Sequence, residues 1–164
     1  VIDIHASIDT LLLLFKSDFK KKNIRLELNY ETQLPKTLAI PDQIKQVFLN
    51  LLNNAADACR EGGLITITTW QENNKIAMAI KDNGVGIKPE NMDLIFQPFF
   101  TTKPTGQGTG LGLSLSYDIV KVHGGEIKIN TITPANENRT HNYRFYRLCP
   151  LRHHIVLHNL YLYI

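Results

Sequence analysis

The sequence predicts an α/β domain, and three observations carry that reading. Apolar residues recur at helical spacing over 6–22, 41–60 and 110–123. Segments with strand character (24–30, a hairpin across 64–81, and 126–132) lie between and after them. Glycine pairs or a proline punctuate several of the changes of period, as helix stops and starts require. At 164 residues the chain is one domain's worth, long enough to bury a real core.

Residues 1–4 read as a short strand. The first helix, 6–22, places Ile8, Leu11, Leu12, Phe15 and Phe19 on one face and Lys20, Lys21 and Lys22 in its last turn. His5 could be a phosphate acceptor or a strand-end histidine; the flanking residues match no acceptor motif, which favours the second. Ile24, Leu26, Leu28 and Tyr30 alternate as in a half-buried strand, and 34–40 is a polar, proline-bearing connection. Pro41 and Asp42 open the second helix, which runs to about Arg60 and stops at Gly62 and Gly63. Ile44, Val47, Phe48, Leu51, Leu52, Ala55 and Cys59 form its core stripe.

Beside that stripe, about a third of a turn away, lie Asn50, Asn54, Asp57 and Glu61. An ordinary solvated face is one reading. Two asparagines one turn apart at the edge of an apolar seam suggest another, because asparagine is a mediocre helix former. Its amide oxygen can join the octahedral shell of Mg²⁺, which waters and phosphates complete.

The hairpin strands, 64–70 and 75–81, flank a turn at 71–74, and Asp82 follows directly. A carboxylate before Asn83 and Gly84 could cap a turn or accept a hydrogen bond from an exocyclic amine such as that of adenine. Glycines 84 and 86, a long connection holding Phe99 and Phe100, and then glycines 106, 108, 110 and 112 follow. Two glycine clusters around such a loop imply a phosphate-bearing ligand under a mobile cover. The second cluster is not a dinucleotide fingerprint, since no strand precedes it, and a GxxxxGK[ST] loop is absent. The third helix is expected to turn Leu111, Leu115, Ile119 and Val122 inward and to stop at Gly124 and Gly125.

Composition excludes several classes. No apolar run reaches the roughly 18 residues of a membrane span, and no signal-peptide pattern opens the chain. Cys59 and Cys149 have neither metal nor disulfide spacing, which fits a reducing compartment. The net charge of +3 comes wholly from 135–164, with four Arg and one Glu; residues 1–134 balance at 14 basic and 14 acidic. A balanced body is not a nucleic-acid footprint.

Together these pieces resemble the ATP-binding catalytic domain of sensor histidine kinases, within the superfamily sharing the Bergerat fold. Asn50-Leu-Leu-Asn-Asn54-Ala resembles the N box and Asp82-Asn-Gly84-Val-Gly86-Ile the first glycine box. Residues 96–103 (FQPFFTTK) resemble the phenylalanine box, and Gly106-Gln-Gly108-Thr109-Gly110-Leu111-Gly112-Leu the second glycine box. Four motifs in order are specific where one would be weak. The resemblance covers 1–132 and implies a two-layer α/β sandwich, a mixed sheet with helices on one face and an ATP lid. It further implies that Asp82 recognises the adenine amine, and that Asn54, supported by Asn50, holds Mg²⁺ and the phosphates catalytically. Gly84 and Gly86 of the first box, and Gly106, Gly108, Thr109, Gly110, Leu111 and Gly112 of the second, would approach ATP. Lys103 is a candidate phosphate contact. The implied partners are a histidine-bearing dimerisation domain and a downstream response regulator, with no nucleic acid and no membrane contact. The implied location is cytoplasmic, with a parent protein that could be membrane-anchored.

The chain departs from the family pattern in three places. Asp57 stands where many kinases carry a basic residue after the N box, shifting phosphate neutralisation to Mg²⁺ and Lys103. The acceptor-histidine helices are not in this sequence, so a catalytic-domain fragment is expected. The family's closing strand is not recognisable after Thr131, and its loss would expose a sheet edge. We therefore expect a catalytic domain over 1–134 and an atypical tail over 135–164, either foreign or frame-shifted sequence or a divergent native ending. Two rival functions remain. Hydrolytic relatives of the gyrase, mismatch-repair and chaperone kind carry a glutamate base where Asn50 stands; a non-catalytic nucleotide-binding module is the other.

Overall fold

The computed structural model describes residues 1–131 and the backbone of a strand at His158–Tyr163. The elements are α1 (Ile4–Lys21), β1 (Arg25–Tyr30), α2 (Pro41–Ala58), β2 (Leu64–Glu72), β3 (Lys75–Asp82), a short 3-10 turn (Pro89–Asn91), α3 (Gly112–Val122), β4 (Glu126–Asn130) and β5 (His158–Tyr163). The strands form one mixed sheet in the order β1-β2-β3-β5-β4. β1 runs parallel to β2, and every other pair is antiparallel. The β2–β3 hairpin turns through Asn73 and Asn74 at φ 50° and 62°, the left-handed pair that a tight two-residue turn needs.

The helices pack on one face of this sheet, giving the expected α/β sandwich. Along β2, Ile65, Ile67 and Thr69 are buried while Leu64, Thr66 and Thr68 are half-buried. Against that face α2 drives Ile44, Val47, Phe48, Leu51 and Leu52, each 2% exposed or less. Ile4, Ile8, Leu11, Phe15 and Phe19 of α1 join the same core. Full burial of such side chains is worth roughly 1.5–3 kcal/mol each, so the apolar stripe of α2 is the main fixture of the domain.

Four sequence expectations need correction. Residues 1–4 are not a strand. Only Ile2 makes a bridge, to Thr37, and α1 begins at Ile4 because the Asp3 carboxylate accepts from the Ala6 N–H at 3.1 Å. Glu61 lies beyond the end of α2, so the polar shoulder stops at Asp57. In α3, Ile119 faces inward as expected, but Leu111, Leu115 and Val122 are 38%, 45% and 78% exposed, and Ser114, Ser116 and Val120 are buried instead. The cause is a close, polar seam. Ser116, fully buried, donates to the Gly112 carbonyl at 2.8 Å and accepts from Asn50 Nδ2 at 3.2 Å.

The fourth correction concerns the closing strand. β5 lies between β3 and β4, with Asp82 opposite His158 and Ile127 opposite Leu162 in the register. The sheet therefore has its final strand, and neither β3 nor β4 is left open along that side. Ile132, the expected last residue of the 126–132 strand, lies outside the described residues, as does the 135–164 tail apart from the β5 backbone.

Candidate functional site

α2 supplies the first wall. Its amphipathic stripe fixes its rotation, which leaves Asn50 and Asn54 half-buried on the shoulder. The Asn50 amide is engaged at both ends. Nδ2 donates to the Gly112 carbonyl at 3.0 Å and to Ser116 Oγ, while Oδ1 accepts from Gln46 Nε2 at 2.9 Å. Asn50 thus fastens the first turn of α3 to α2. The Asn54 side chain, one turn on, makes no hydrogen bond among the described residues, and its amide oxygen is available to a ligand or a hard cation.

The second wall is the turn after β3. Asp82, only 9% exposed, ends the strand and accepts from the Gly84 N–H at 2.9 Å. The turn is seated on the end of α2: the Val85 N–H donates to the Ala58 carbonyl at 3.1 Å, and a Cβ on Gly84 would lie 2.4 Å from that oxygen. Only glycine allows this approach. Asn83 Oδ1 accepts from the Leu64 N–H at 2.8 Å, tying the turn to β2 as well. Beneath it, burial and then the nearby Asp82 carboxylate push the Cys59 thiol up from its ordinary value. Cys59 is a buried residue of the core.

Residues 83–111 connect β3 to α3 and hold the expected lid, about 88–109. Phe99, midway along this connection, donates its N–H to the carbonyl of Gly110 near its end at 2.9 Å. Gly110 has φ 67°, and a Cβ there would meet the Phe99 carbonyl carbon at 2.3 Å. Phe99 itself sits at φ 68° and is 75% exposed. The Leu111 N–H donates to Thr109 Oγ1 at 3.3 Å, just before α3 begins. Gly106 (φ 86°) has nothing within 4 Å of its would-be Cβ, while at Gly112 the nearest atom is Asn50 Cγ at 3.6 Å. Phe96 is partly buried and packs against Tyr117 at 5.3 Å between ring centres, anchoring the middle of the lid. Gly86 has φ 83°, and the next residue, Ile87, donates its N–H to Thr131 Oγ1 at 3.0 Å.

The structure thus brings Asn50, the Asp82 turn and the second glycine cluster onto one helix, α2. Lys103 does not stand free: its ammonium is 2.6 Å from Asp57. Sequence reasoning noted Asp57 on the shoulder but not its pairing with Lys103, 46 residues away. Two histidines are committed to internal contacts. His5, inside α1, hydrogen-bonds Thr69 Oγ1 at 2.7 Å and stacks on Tyr30 at 4.2 Å. His123 lies 2.8 Å from the Ile119 carbonyl through Nδ1 and accepts from the Ile40 N–H through Nε2 at 3.1 Å. Two hollows elsewhere, about 500 Å³ between α1 and β1 and about 350 Å³ beside Phe15 and Asn53, do not include Asp82 or Asn54. Among the described residues no group of three or more His, Cys, Asp or Glu could hold a metal by itself, and no helix is long and apolar enough to cross a membrane.

A helix-borne asparagine pair, a buried strand-end carboxylate and a glycine-hinged lid on a mixed sheet define a nucleotide-binding catalytic domain. The chain belongs to the family of histidine kinase-, DNA gyrase B- and HSP90-like ATPases, whose profile matches residues 39–151. Within it, the domain is of the ATP-binding catalytic kind found in sensor histidine kinases. It is 37% identical over 128 residues to the sensor histidine kinase ZraS of Escherichia coli (strain K12), covering 78% of this chain and 27% of that protein. It is 35% identical over 124 residues to sporulation kinase E of Bacillus subtilis (strain 168), covering 75% of this chain and 16% of that one. The chain thus spans about a quarter of the first relative and a sixth of the second. The nucleotide-free catalytic domain of histidine kinase ThkA superposes with a TM-score of 0.74 at 29% identity, over 98% of this chain and 92% of that domain. ThkA has also been solved in complex with the response regulator protein TrrA, where the TM-score is 0.70 at 26% identity, over 99% of this chain and 40% of that one.

Proposed function

We propose that this domain binds ATP with Mg²⁺ between α2, the Asp82 turn and the lid, and passes the γ-phosphoryl group to a histidine on a dimerisation domain. A response regulator would then receive it, as the ThkA–TrrA complex suggests by likeness, on the cytoplasmic side where ATP is found. The observation that carries this reading is the seating of the Asp82 turn and the first turn of α3 on the same helix, α2. Adenine-reading and phosphate-holding groups then keep a fixed separation.

The residues fit the ligands. Gly84 and Gly110 hold backbone so close that a Cβ would overlap it, Gly106 leaves open space for phosphate oxygens, and Gly112 lies in contact with Asn50. Asp82 would accept from the adenine amine. Gly86, Gly108, Thr109 and Leu111 would place lid and α3 backbone around the phosphates, with Lys103 near them. Mg²⁺ takes few protein oxygens beside phosphates and water, so Asn54, with Asn50 in support, suffices; the ion would neutralise phosphate charge. In the transfer the bond from the γ-phosphorus to the bridging oxygen breaks, ADP departs, and a phosphorus–nitrogen bond forms on the acceptor imidazole, which loses its proton. The domain contributes positioning and charge stabilisation.

Incubation with γ-labelled ATP and Mg²⁺ should leave this chain unlabelled and slowly label a separately supplied acceptor domain. Asn54→Ala should abolish that labelling and most of the metal-dependent affinity. ATP binding with no transfer to any acceptor would favour a non-catalytic module. Acid-labile label on His5 or His123 would overturn the reading, since both rings are committed to internal contacts.

A further inference from the structure

The acidic residue after the N box calls for an account, because it stands where triphosphate charge is expected. Asp57 is three residues beyond Asn54, so the two side chains neighbour each other on α2, with Cβ atoms about 5–6 Å apart. Asp57 Oδ2 receives the Lys103 ammonium at 2.6 Å, and Oδ1 lies 3.7 Å from the Lys22 ammonium. Lys22 is itself pinned, donating to the Ala56 carbonyl at 2.9 Å. One carboxylate is thus covered by two lysines, and the cluster is net positive.

Lys103 in turn is built into the lid. Its N–H donates to Thr101 Oγ1 at 3.1 Å. A Cβ on Gly108 would lie 2.7 Å from that same oxygen and 3.1 and 3.2 Å from Lys103 Cδ and Cβ. Thr101, Lys103 and Gly108 are therefore packed against one another, so a tether on the ammonium acts on this part of the loop.

We propose that Asp57 is a positioning residue that docks the 101–108 segment of the lid on α2 through Lys103, beside Asn54, before any nucleotide arrives. An ammonium has three donors. With one on Asp57, two remain for phosphate oxygens, so the carboxylate orients Lys103 without withdrawing it. The consequence for nucleotide affinity rests on the function proposed above; the docking itself does not.

The test uses the full chain. In the nucleotide-free protein, Asp57→Asn should speed amide hydrogen exchange across 101–108 by about two- to fivefold, the range expected for a partly exposed ion pair. Lys103→Met should do the same, the double variant should add nothing, and Asp57→Glu should retain protection. In calorimetry with ATP and Mg²⁺, Asp57→Asn should weaken binding by a similar factor, and not at all in a Lys103→Met background. Unchanged exchange, additive losses in the double variant, or tighter ATP binding by Asp57→Asn would each overturn the proposal. If the exchange pattern holds while no variant, including the native chain, binds ATP, the docking stands and the nucleotide function fails.

Discussion

Replacing Asp82 by asparagine isolates the chemistry of the site from its construction. The side chain is 9% exposed, ends β3, and accepts from the Gly84 N–H at 2.9 Å. Asparagine is isosteric and keeps an oxygen for that bond, so the turn should stand. What changes is the rest of the group: an acceptor-only carboxylate becomes an amide whose NH₂ would face the adenine amine in the proposed site. A hydrogen bond to a charged group contributes about 1.5–3 kcal/mol, which is about 10- to 150-fold in affinity. ATP titration calorimetry with excess Mg²⁺ should show a loss in that range, with melting temperature nearly unchanged. Asp18→Asn, an exposed carboxylate 66% accessible on α1, is the control and should bind as the native chain does. The substitution has a second readout, since Asp82 helps to hold the Cys59 thiol protonated. Alkylation of Cys59 should become faster in Asp82→Asn. A dissociation constant within twofold of native, in a folded protein with faster Cys59 alkylation, would refute adenine recognition by Asp82.

Three further outcomes follow from the coordinates. Gly110→Ala should impair ATP binding far more than global stability, because left-handed backbone costs about 1–2 kcal/mol for an alanine and the new Cβ meets Phe99 backbone at 2.3 Å; native-like calorimetry would contradict the lid geometry. Cys59, buried and raised by its surroundings, should resist alkylation until the pH passes the ordinary thiol range, and modification at neutral pH as fast as that of a free thiol would show the pocket floor to be open. Ending the chain at Thr131 removes β5 and uncovers β3 and β4, so cooperative melting should be lost and aggregation should rise; an unchanged melting temperature would show β5 to be dispensable.

Legibility in the sequence followed the strength of local pattern. α2 and the β2–β3 hairpin were readable because a seven-residue apolar stripe and a strand pair with a two-residue asparagine turn each satisfy one period without competition. α1 began earlier than expected because a single capping aspartate outweighs four residues of weak strand character. The inward face of α3 was hidden for a different reason. Leucine is the stronger apolar signal, yet Ser116 is buried, because the helix approaches α2 closely enough for Asn50 to bond it. The candidate residues of the proposed site were chosen from motif and spacing. The Asp57–Lys103 pair was not, since nothing local in either segment announces the other.

β5 shows how far sequence order can mislead about spatial order. The alternation His-Asn-Leu-Tyr-Leu-Tyr at 158–163 is an ordinary strand signal, but it follows a stretch whose composition departs from the rest of the chain. The sheet inserts it between β3 and β4, so β3 has a partner on both sides from Ala77 to Asp82. An edge strand would leave its terminal carboxylate on a frayed end. Here the register carries the pairing to Asp82 itself, opposite His158 on one side and Ile65 on the other. The group expected to read adenine is therefore fixed by β2, by α2 through the Gly84 turn, and by the last strand of the chain. Local pattern supplied the chemistry of that carboxylate; its rigidity comes from pairings made across the whole sequence.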